Sequence, residues 1–217
     1  MKIKLAVFDL DGTLVSSHKT IYNAVVKTLK ELKINEEIPE KEFYNLIGLH
    51  IEDIFKEFGF IVPDFDQFIS IYKLVYFDYA DSSFVYPGAI ETIDFLKQKR
   101  IKISLLTTKA QDQAELNLSY FKLSDKFDYI MGRRPEFENK PSPEPLLKIC
   151  KDLEIGISDT IMIGDTELDI YCGKNAGTKT CAVTYGYRSK KELIKTNPDL
   201  LIDKLDDLIN IIDYSNS

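Results

Sequence analysis

The chain has 217 residues, with 28 Lys and Arg against 35 Asp and Glu, a formal charge of −7 at pH 7. That length accommodates one large domain, or a core carrying an insert, with ample apolar material for a core. The acidic balance lacks the basic patches that non-specific nucleic-acid or anionic-membrane binding needs, so neither partner is expected. A composition of 44% hydrophobic and 29% charged residues excludes a disordered chain.

Cys150, Cys172 and Cys181 show no paired spacing and read as small buried residues of a reducing compartment. The N-terminal apolar run stops at Asp9, short of a signal-peptide core, and no later run approaches the ~20 residues that span a bilayer. A cytoplasmic protein, monomer or homodimer, is the expectation.

In chain order, Ile3 to Phe8 is a mostly apolar strand, the pattern of a sheet covered on both faces. From Val15 to Val85 the rhythm becomes helical. Ile21, Ala24, Val25, Thr28, Leu29 and Leu32 recur at 3, 4, 7 and 8, as do shorter sets at Ile51 to Phe58 and Phe65 to Tyr76, and no strand pattern intervenes. Tyr86-Pro87-Gly88 reads as the return hinge. Strands then recur at Ile101 to Leu106, Tyr129 to Met131, Thr160 to Ile163, Thr180 to Val183 and Leu200 to Ile202. Helical patterns at Ala89 to Lys99, Gln111 to Phe121, Pro145 to Leu153 and Glu167 to Ala176 separate them, and a last amphipathic stretch covers Lys204 to Ile212. Alternation of this kind predicts an α/β fold, a Rossmann-like doubly wound parallel sheet. The core would take residues 1–14 and 88–217, and an inserted α-helical domain residues 15–87.

Chemistry-bearing residues cluster at strand ends, where open α/β sheets bind ligands. Asp9-Leu10-Asp11-Gly12-Thr13 follows the first strand, and Gly12 allows a tight turn whose N–H groups can cradle an anion. An Asp/Gly turn is common, so the pentapeptide alone does not decide between a turn and a site. Thr107-Thr108-Lys109 follows the next strand, offering hydroxyls and a candidate helix N-terminus for phosphate oxygens; a plain N-cap threonine is the rival reading of Thr108. Gly164-Asp165-Thr166-Glu167-Leu168-Asp169 follows a later strand. Its two aspartates, four apart, share one face of a starting helix, where a bound cation would relieve their repulsion; a solvated helix start is the alternative. An oxygen-only carboxylate cluster suits Mg2+. Lys140 stands before Pro141-Ser142-Pro143-Glu144-Pro145, a stiffened entry to a helix.

Taken together, strand-DxDGT, strand-TT, K-P and strand-GDxxxD resemble the haloacid dehalogenase-like (HAD) hydrolase superfamily over nearly the whole chain. The helical insert, the segment Phe43 to Leu49, Tyr86-Pro87-Gly88, the run Val183 to Ser189 and Asn197-Pro198-Asp199 are similar to its phosphoglycolate phosphatase-like branch, which carries a small α-helical cap. The resemblance implies a phosphomonoester phosphatase using Mg2+. Asp9 would be the nucleophile, forming an aspartyl-phosphate, and Asp11 the general acid and then base. Asp9, the Asp11 carbonyl and Asp165 would hold the metal, with Asp169 acting through water. Gly12, Thr107, Thr108 and Lys140 would hold the phosphoryl oxygens, Lys140 also neutralising charge that would repel Asp9.

The substrate implied is a small phosphorylated metabolite, with 2-phosphoglycolate first and pyrophosphate or a 5′-nucleotide as alternatives. Asp11 argues against dehalogenation, because displacing a halide needs no leaving-group proton. Ser16-Ser17 stand where many branch members carry an acidic residue, read as a substrate-contact variation. A β-phosphoglucomutase is a weaker alternative, since Ile21 and Ile51 occupy the positions of its histidine and arginine; a non-catalytic binding protein is weaker still, because no carboxylate of the set is lost. His50, in the loop similar to the family's specificity segment, is a candidate substrate contact. His18, Arg133 and Arg134 are read as ordinary polar residues with a possible contact role left open.

Overall fold

Leu5, Ala6, Val7 and Phe8 are all inaccessible to solvent, so the first strand shows no alternation of apolar and polar residues. It occupies the middle of a sheet in a computed structural model that describes residues 3–216, with side chains to residue 212. Met1, Lys2 and Ser217, which the expected core includes, lie outside the described residues.

The chain divides into two compact units, Met1–Leu14 with Val85–Ser217, and Val15–Phe84. In the first, β1 (Leu5–Phe8), β4 (Lys102–Ala110), β5 (Tyr129–Arg133), β6 (Thr160–Gly164), β7 (Lys179–Val183) and β8 (Leu200–Ile202) form a six-stranded sheet. The order is β5-β4-β1-β6-β7-β8 and every pairing is parallel. The connecting helices are α5 (Ala89–Gln98), α6 (Gln111–Tyr120), α7 (Glu144–Asp152), α8 (Glu167–Ala176), α9 (Lys190–Lys195) and α10 (Asp207–Asn216). Leu5 and Val7 of β1, Leu106 of β4, Met131 of β5, Met162 of β6, and Leu146, Ile149, Cys150, Cys172 and Ala176 of α7 and α8 form one core layer. Because side chains alternate along a strand, Ala6 and Phe8 point to the opposite face. The order reverses across β1, whose carboxyl end is therefore the topological switch point.

The helical unit contains α1 (His18–Glu31), α2 (Glu40–Tyr44), α3 (Ile51–Glu57), α4 (Phe65–Tyr76) and a 3-10 turn over Phe77–Ser82. Ile21, Ala24, Val25 and Leu29 are the buried stripe of α1, as its spacing predicts. Phe55, Phe68 and Tyr72 continue the core through ring contacts at 5.1 and 6.1 Å, and Asp64 caps α4 by accepting from the Gln67 N–H at 2.9 Å.

The structure departs from the sequence expectation in three respects. The short α2 and α9 carry no legible helical period, since five and six residues cover less than two turns. Two-residue strands β2 (Val15–Ser16) and β3 (Phe84–Val85) pair where no strand is expected. The third departure is β4, which runs on to Ala110 with a register irregularity after Leu106. Thr108 is therefore not a helix N-terminal residue; α6 starts at Gln111, beyond it. All three cysteines are buried and unpaired. Among the described residues no helix is long and apolar enough to cross a membrane.

Candidate active site

The registers of β1 place Phe8 level with Leu105 on one side and Ile163 on the other. The next residue, Asp9, donates its backbone N–H to the Ile163 carbonyl at 2.9 Å. Asp9, Thr107 and Asp165 consequently emerge together at the switch point. Asp169 joins them because it is the third residue of α8, one turn from Thr166. Its Oδ2 accepts from the Thr166 N–H at 3.0 Å and hydroxyl at 2.7 Å.

Asp9, Asp165 and Asp169 are all buried, and each offers a carboxylate oxygen within 4.8 Å of the others. Like charges this close in a dry setting repel strongly. One cation of the chain sits among them. The Lys140 ammonium, almost fully buried, donates to Asp9 Oδ1 at 2.7 Å, Asp169 Oδ1 at 2.5 Å and the Leu106 carbonyl at 3.2 Å. Burial alone would lower the Lys140 pKa, but Asp169 and Asp9 beside it hold it above the ordinary lysine value. Asp9 moves the other way: burial pushes its pKa well up, and Lys140 offsets this only in part against the added charges of Asp169 and Asp165.

Asp165 is held from two sides, Thr13 donating its hydroxyl to Oδ1 at 2.9 Å and the Tyr187 N–H donating to Oδ2 at 2.8 Å. Burial and then the Asp169 charge push Asp165 up to about 7 despite these two bonds. Two glycines make room for it. A Cβ at Gly12, whose φ of +94° already favours glycine, or at Gly186 would overlap its carboxylate.

Asp11 stands outside this cluster. Its carboxylate pairs with Lys109 at 3.3 Å, both side chains being largely buried. Thr107 is buried and accepts the Lys109 N–H at 3.2 Å, so its hydroxyl proton is directed elsewhere; Thr108 is half-buried. Arg134 donates to Gln111 Oε1 at 3.1 Å and to the Ile130 carbonyl at 3.2 Å, a bracing of the strand end. In the helical unit, His50 precedes α3 with its ring 5.3 Å from that of Phe65. His18 there lies 4.7 Å from the Tyr44 ring, its Nδ1 3.3 Å from Ser16 Oγ, and burial lowers its pKa. Sequence reasoning missed Thr13, Lys109, Gly186 and Tyr187. A backbone N–H such as that of Tyr187 has no residue-type signature, whereas Thr13 lay within the motif and was readable as a hydroxyl.

The donor set fits a hard divalent cation. Its atoms are all carboxylate oxygens, they converge within one coordination sphere, and three buried carboxylates against one ammonium leave two negative charges uncompensated. Asp169 already uses one oxygen on Lys140 and the other on Thr166. Both Asp165 oxygens accept as well, from the Thr13 hydroxyl and the Tyr187 N–H, whereas neither meets an ammonium among the described residues.

Known proteins share this fold. Residues 6–183 match the profile of the haloacid dehalogenase-like hydrolases. The pyrophosphatase PpaX of Bacillus cereus (strain ATCC 10987 / NRS 248) is 32% identical over 217 residues, covering 100% of this chain and 99% of its own. PpaX of Bacillus mycoides is likewise 32% identical, at full coverage of both. Among solved structures, a haloacid dehalogenase-like hydrolase of Streptococcus pneumoniae superposes with a TM-score of 0.84 at 25% identity, covering 96% of this chain and 98% of its own. A predicted phosphoglycolate phosphatase of Haemophilus somnus 129pt gives 0.83 at 25% identity, covering 97% and 98%. The chain is a member of the haloacid dehalogenase-like hydrolase family.

Proposed function

We propose that this enzyme is a Mg2+-dependent phosphatase of small phosphorylated metabolites, working through an aspartyl-phosphate on Asp9. The observation that carries the reading is the Lys140 ammonium lodged between Asp9 and Asp169 within a buried carboxylate triad. Lys140 neutralises charge that would otherwise keep an anionic phosphoryl group away from Asp9. Asp9, Asp165 and the Asp11 carbonyl would hold the metal, with Asp169 behind them; when bound, Mg2+ neutralises phosphoryl oxygens and orients the group for in-line attack. Asp9 attacks phosphorus as the bond to the leaving oxygen breaks, and Asp11 gives that oxygen a proton. Asp11 then takes a proton from the water that attacks the same phosphorus, releasing phosphate and restoring Asp9. Thr107, Thr108 and the turn at Gly12 supply donors to the phosphoryl oxygens. The inserted helices, 15–87, serve as the cap that selects the substrate, with His50 a candidate contact.

For the substrate, 2-phosphoglycolate is the first reading, in keeping with the branch that the cap segments resemble. Pyrophosphate is the second, favoured by full-length relatives named pyrophosphatase at 32% identity. Steady-state kinetics on a phosphomonoester panel plus pyrophosphate, with Mg2+ and with EDTA, tests both. Turnover of 2-phosphoglycolate that EDTA abolishes supports the first, and kcat/KM highest for pyrophosphate moves the assignment to the second. No Mg2+-dependent turnover of any substrate contradicts the phosphatase reading.

A further inference from the structure

Asp165 owes its orientation to a short relay that starts outside the motifs. Tyr185, on the loop leaving β7, donates its hydroxyl to the Thr13 carbonyl at 2.8 Å. The Thr13 hydroxyl in turn reaches Asp165 Oδ1 at 2.9 Å, and both Thr13 and Asp165 are inaccessible to solvent. Two residues after Tyr185, the Tyr187 N–H holds the other oxygen at 2.8 Å. The 185–187 loop therefore grips both sides of one carboxylate, directly through Tyr187 and through Thr13 on the other side.

The next carbonyl along the chain is pinned as well. Leu14 accepts the Tyr86 N–H at 2.9 Å, and the Tyr86 ring lies 4.7 Å from that of Tyr185. The Thr13 N–H also donates to the Leu10 carbonyl at 3.3 Å, so with its carbonyl held by Tyr185 both peptide planes flanking Thr13 are tied, which sets the direction of the Thr13 Cα–Cβ bond. A hydroxyl that must stay within about 3 Å of its acceptor tolerates little rotation of that bond. Burial drives the Tyr185 pKa up, so the phenol stays a proton donor across the working pH range.

We propose that Tyr185 is a positioning residue for Asp165, acting through Thr13 to present that carboxylate to the metal. Partners behind metal ligands commonly account for 10–100-fold in metal affinity. Tyr185 stands one step further back, so its share is smaller. The inference rests on Asp165 being a metal ligand.

The test is calorimetric titration of Mg2+ alone into the metal-stripped full chain. Tyr185→Phe keeps the ring beside Tyr86 and removes only the donor; it should weaken Mg2+ binding by about 3–10-fold while kcat at saturating Mg2+ stays within about twofold. Thr13→Val should weaken binding by roughly 10–100-fold, and Thr13→Ser should restore it. Because the two residues act in series, the double variant Thr13→Val/Tyr185→Phe should bind no more weakly than Thr13→Val. Unchanged Mg2+ affinity in Tyr185→Phe, or additive losses in the double variant, overturns the proposal. Should Tyr185→Phe fail to fold, wild-type affinity in Thr13→Val overturns it instead. Wild-type protein that binds no Mg2+ overturns the metal reading too, whereas binding equal in wild type and variants overturns the positioning role alone.

Discussion

The two edges of the six-stranded sheet use aspartate in opposite ways. At the amino edge, lysines at strand starts meet aspartates that precede the neighbouring strand: Lys4 with Asp159 at 2.5 Å, Lys102 with Asp128 at 2.6 Å and Lys179 with Asp199 at 3.2 Å. Asp128 also accepts the Ile103 N–H at 2.8 Å, and Asp199 the Thr180 N–H at 2.9 Å. Partial burial would raise both carboxyls, but these bonds outweigh it and hold them below the ordinary carboxylate range. At the carboxyl edge the balance is reversed. Asp9 and Asp165 are raised by burial first and by neighbouring carboxylate charge next, which one ammonium offsets only in part. Satisfied charge at one edge stabilises the fold; the crowded charge at the other is held by the rest of the fold, and the proposed function assigns it to a cation and a phosphoryl group.

The largest expected effect of breaking this contrast comes from Asp9→Asn. It should lower kcat by at least ~10⁴-fold, the scale seen when a nucleophile is removed, in steady-state assays with Mg2+. Next, Asp165→Asn should weaken Mg2+ binding by at least about 100-fold, measured by calorimetry, since the proposed function makes Asp165 a direct ligand rather than a partner behind one. At the other edge, Asp128→Ala should cost about 1–2 kcal/mol of stability, the scale of a charged hydrogen bond lost, and lower Tm by roughly 2–8 °C. Its kcat/KM should stay within about twofold of wild type.

The smallest effect is a pH profile of opposite slopes. A carboxyl held low in the fold contributes stability above its unfolded value of about 3.9 and loses it as pH falls through the folded value. Asp128 and Asp199 therefore make the protein less stable in strong acid. Asp165, at about 7 in the fold, does the reverse: between the unfolded value and about 7 the native state binds more protons, so metal-free stability falls as pH rises there. Denaturant melts in EDTA should show a mildly acidic stability maximum, and saturating Mg2+ should flatten the decline towards pH 7.

What could be read from the sequence follows the same division. Asp9, Asp11, Asp165 and Asp169 were legible as candidates because they follow apolar strands; each motif alone reads equally as an ordinary turn or helix start, and their joint resemblance to a known family singled them out. Lys140 was legible only in company with them. The amino-edge aspartates carry no such signal: Asp199 was read as part of a family-like segment, and the structure gives it a bond to the start of β7. Gly186 and Tyr187 act through close approach and a backbone N–H, and the Thr13 hydroxyl, though readable as a donor, meets Asp165 only in the folded chain. Helix α9 was recoverable, since Ser189 and Glu192 form the reciprocal cap that marks a helix start. The two short strands and the extension of β4 to Ala110 were not, because pairing partners rather than local residues decide them.

Thermal unfolding of wild type, Asp9→Asn and Asp128→Ala, each in EDTA and in Mg2+, tests the contrast most directly. In EDTA, Asp9→Asn should melt above wild type, because it relieves buried repulsion while keeping an oxygen for Lys140, and Asp128→Ala should melt below it. Mg2+ should raise the wild-type Tm, raise that of Asp128→Ala by a similar amount and move that of Asp9→Asn less. Asp9→Asn melting below wild type in EDTA, with no Mg2+ shift in any of the three, would contradict the account.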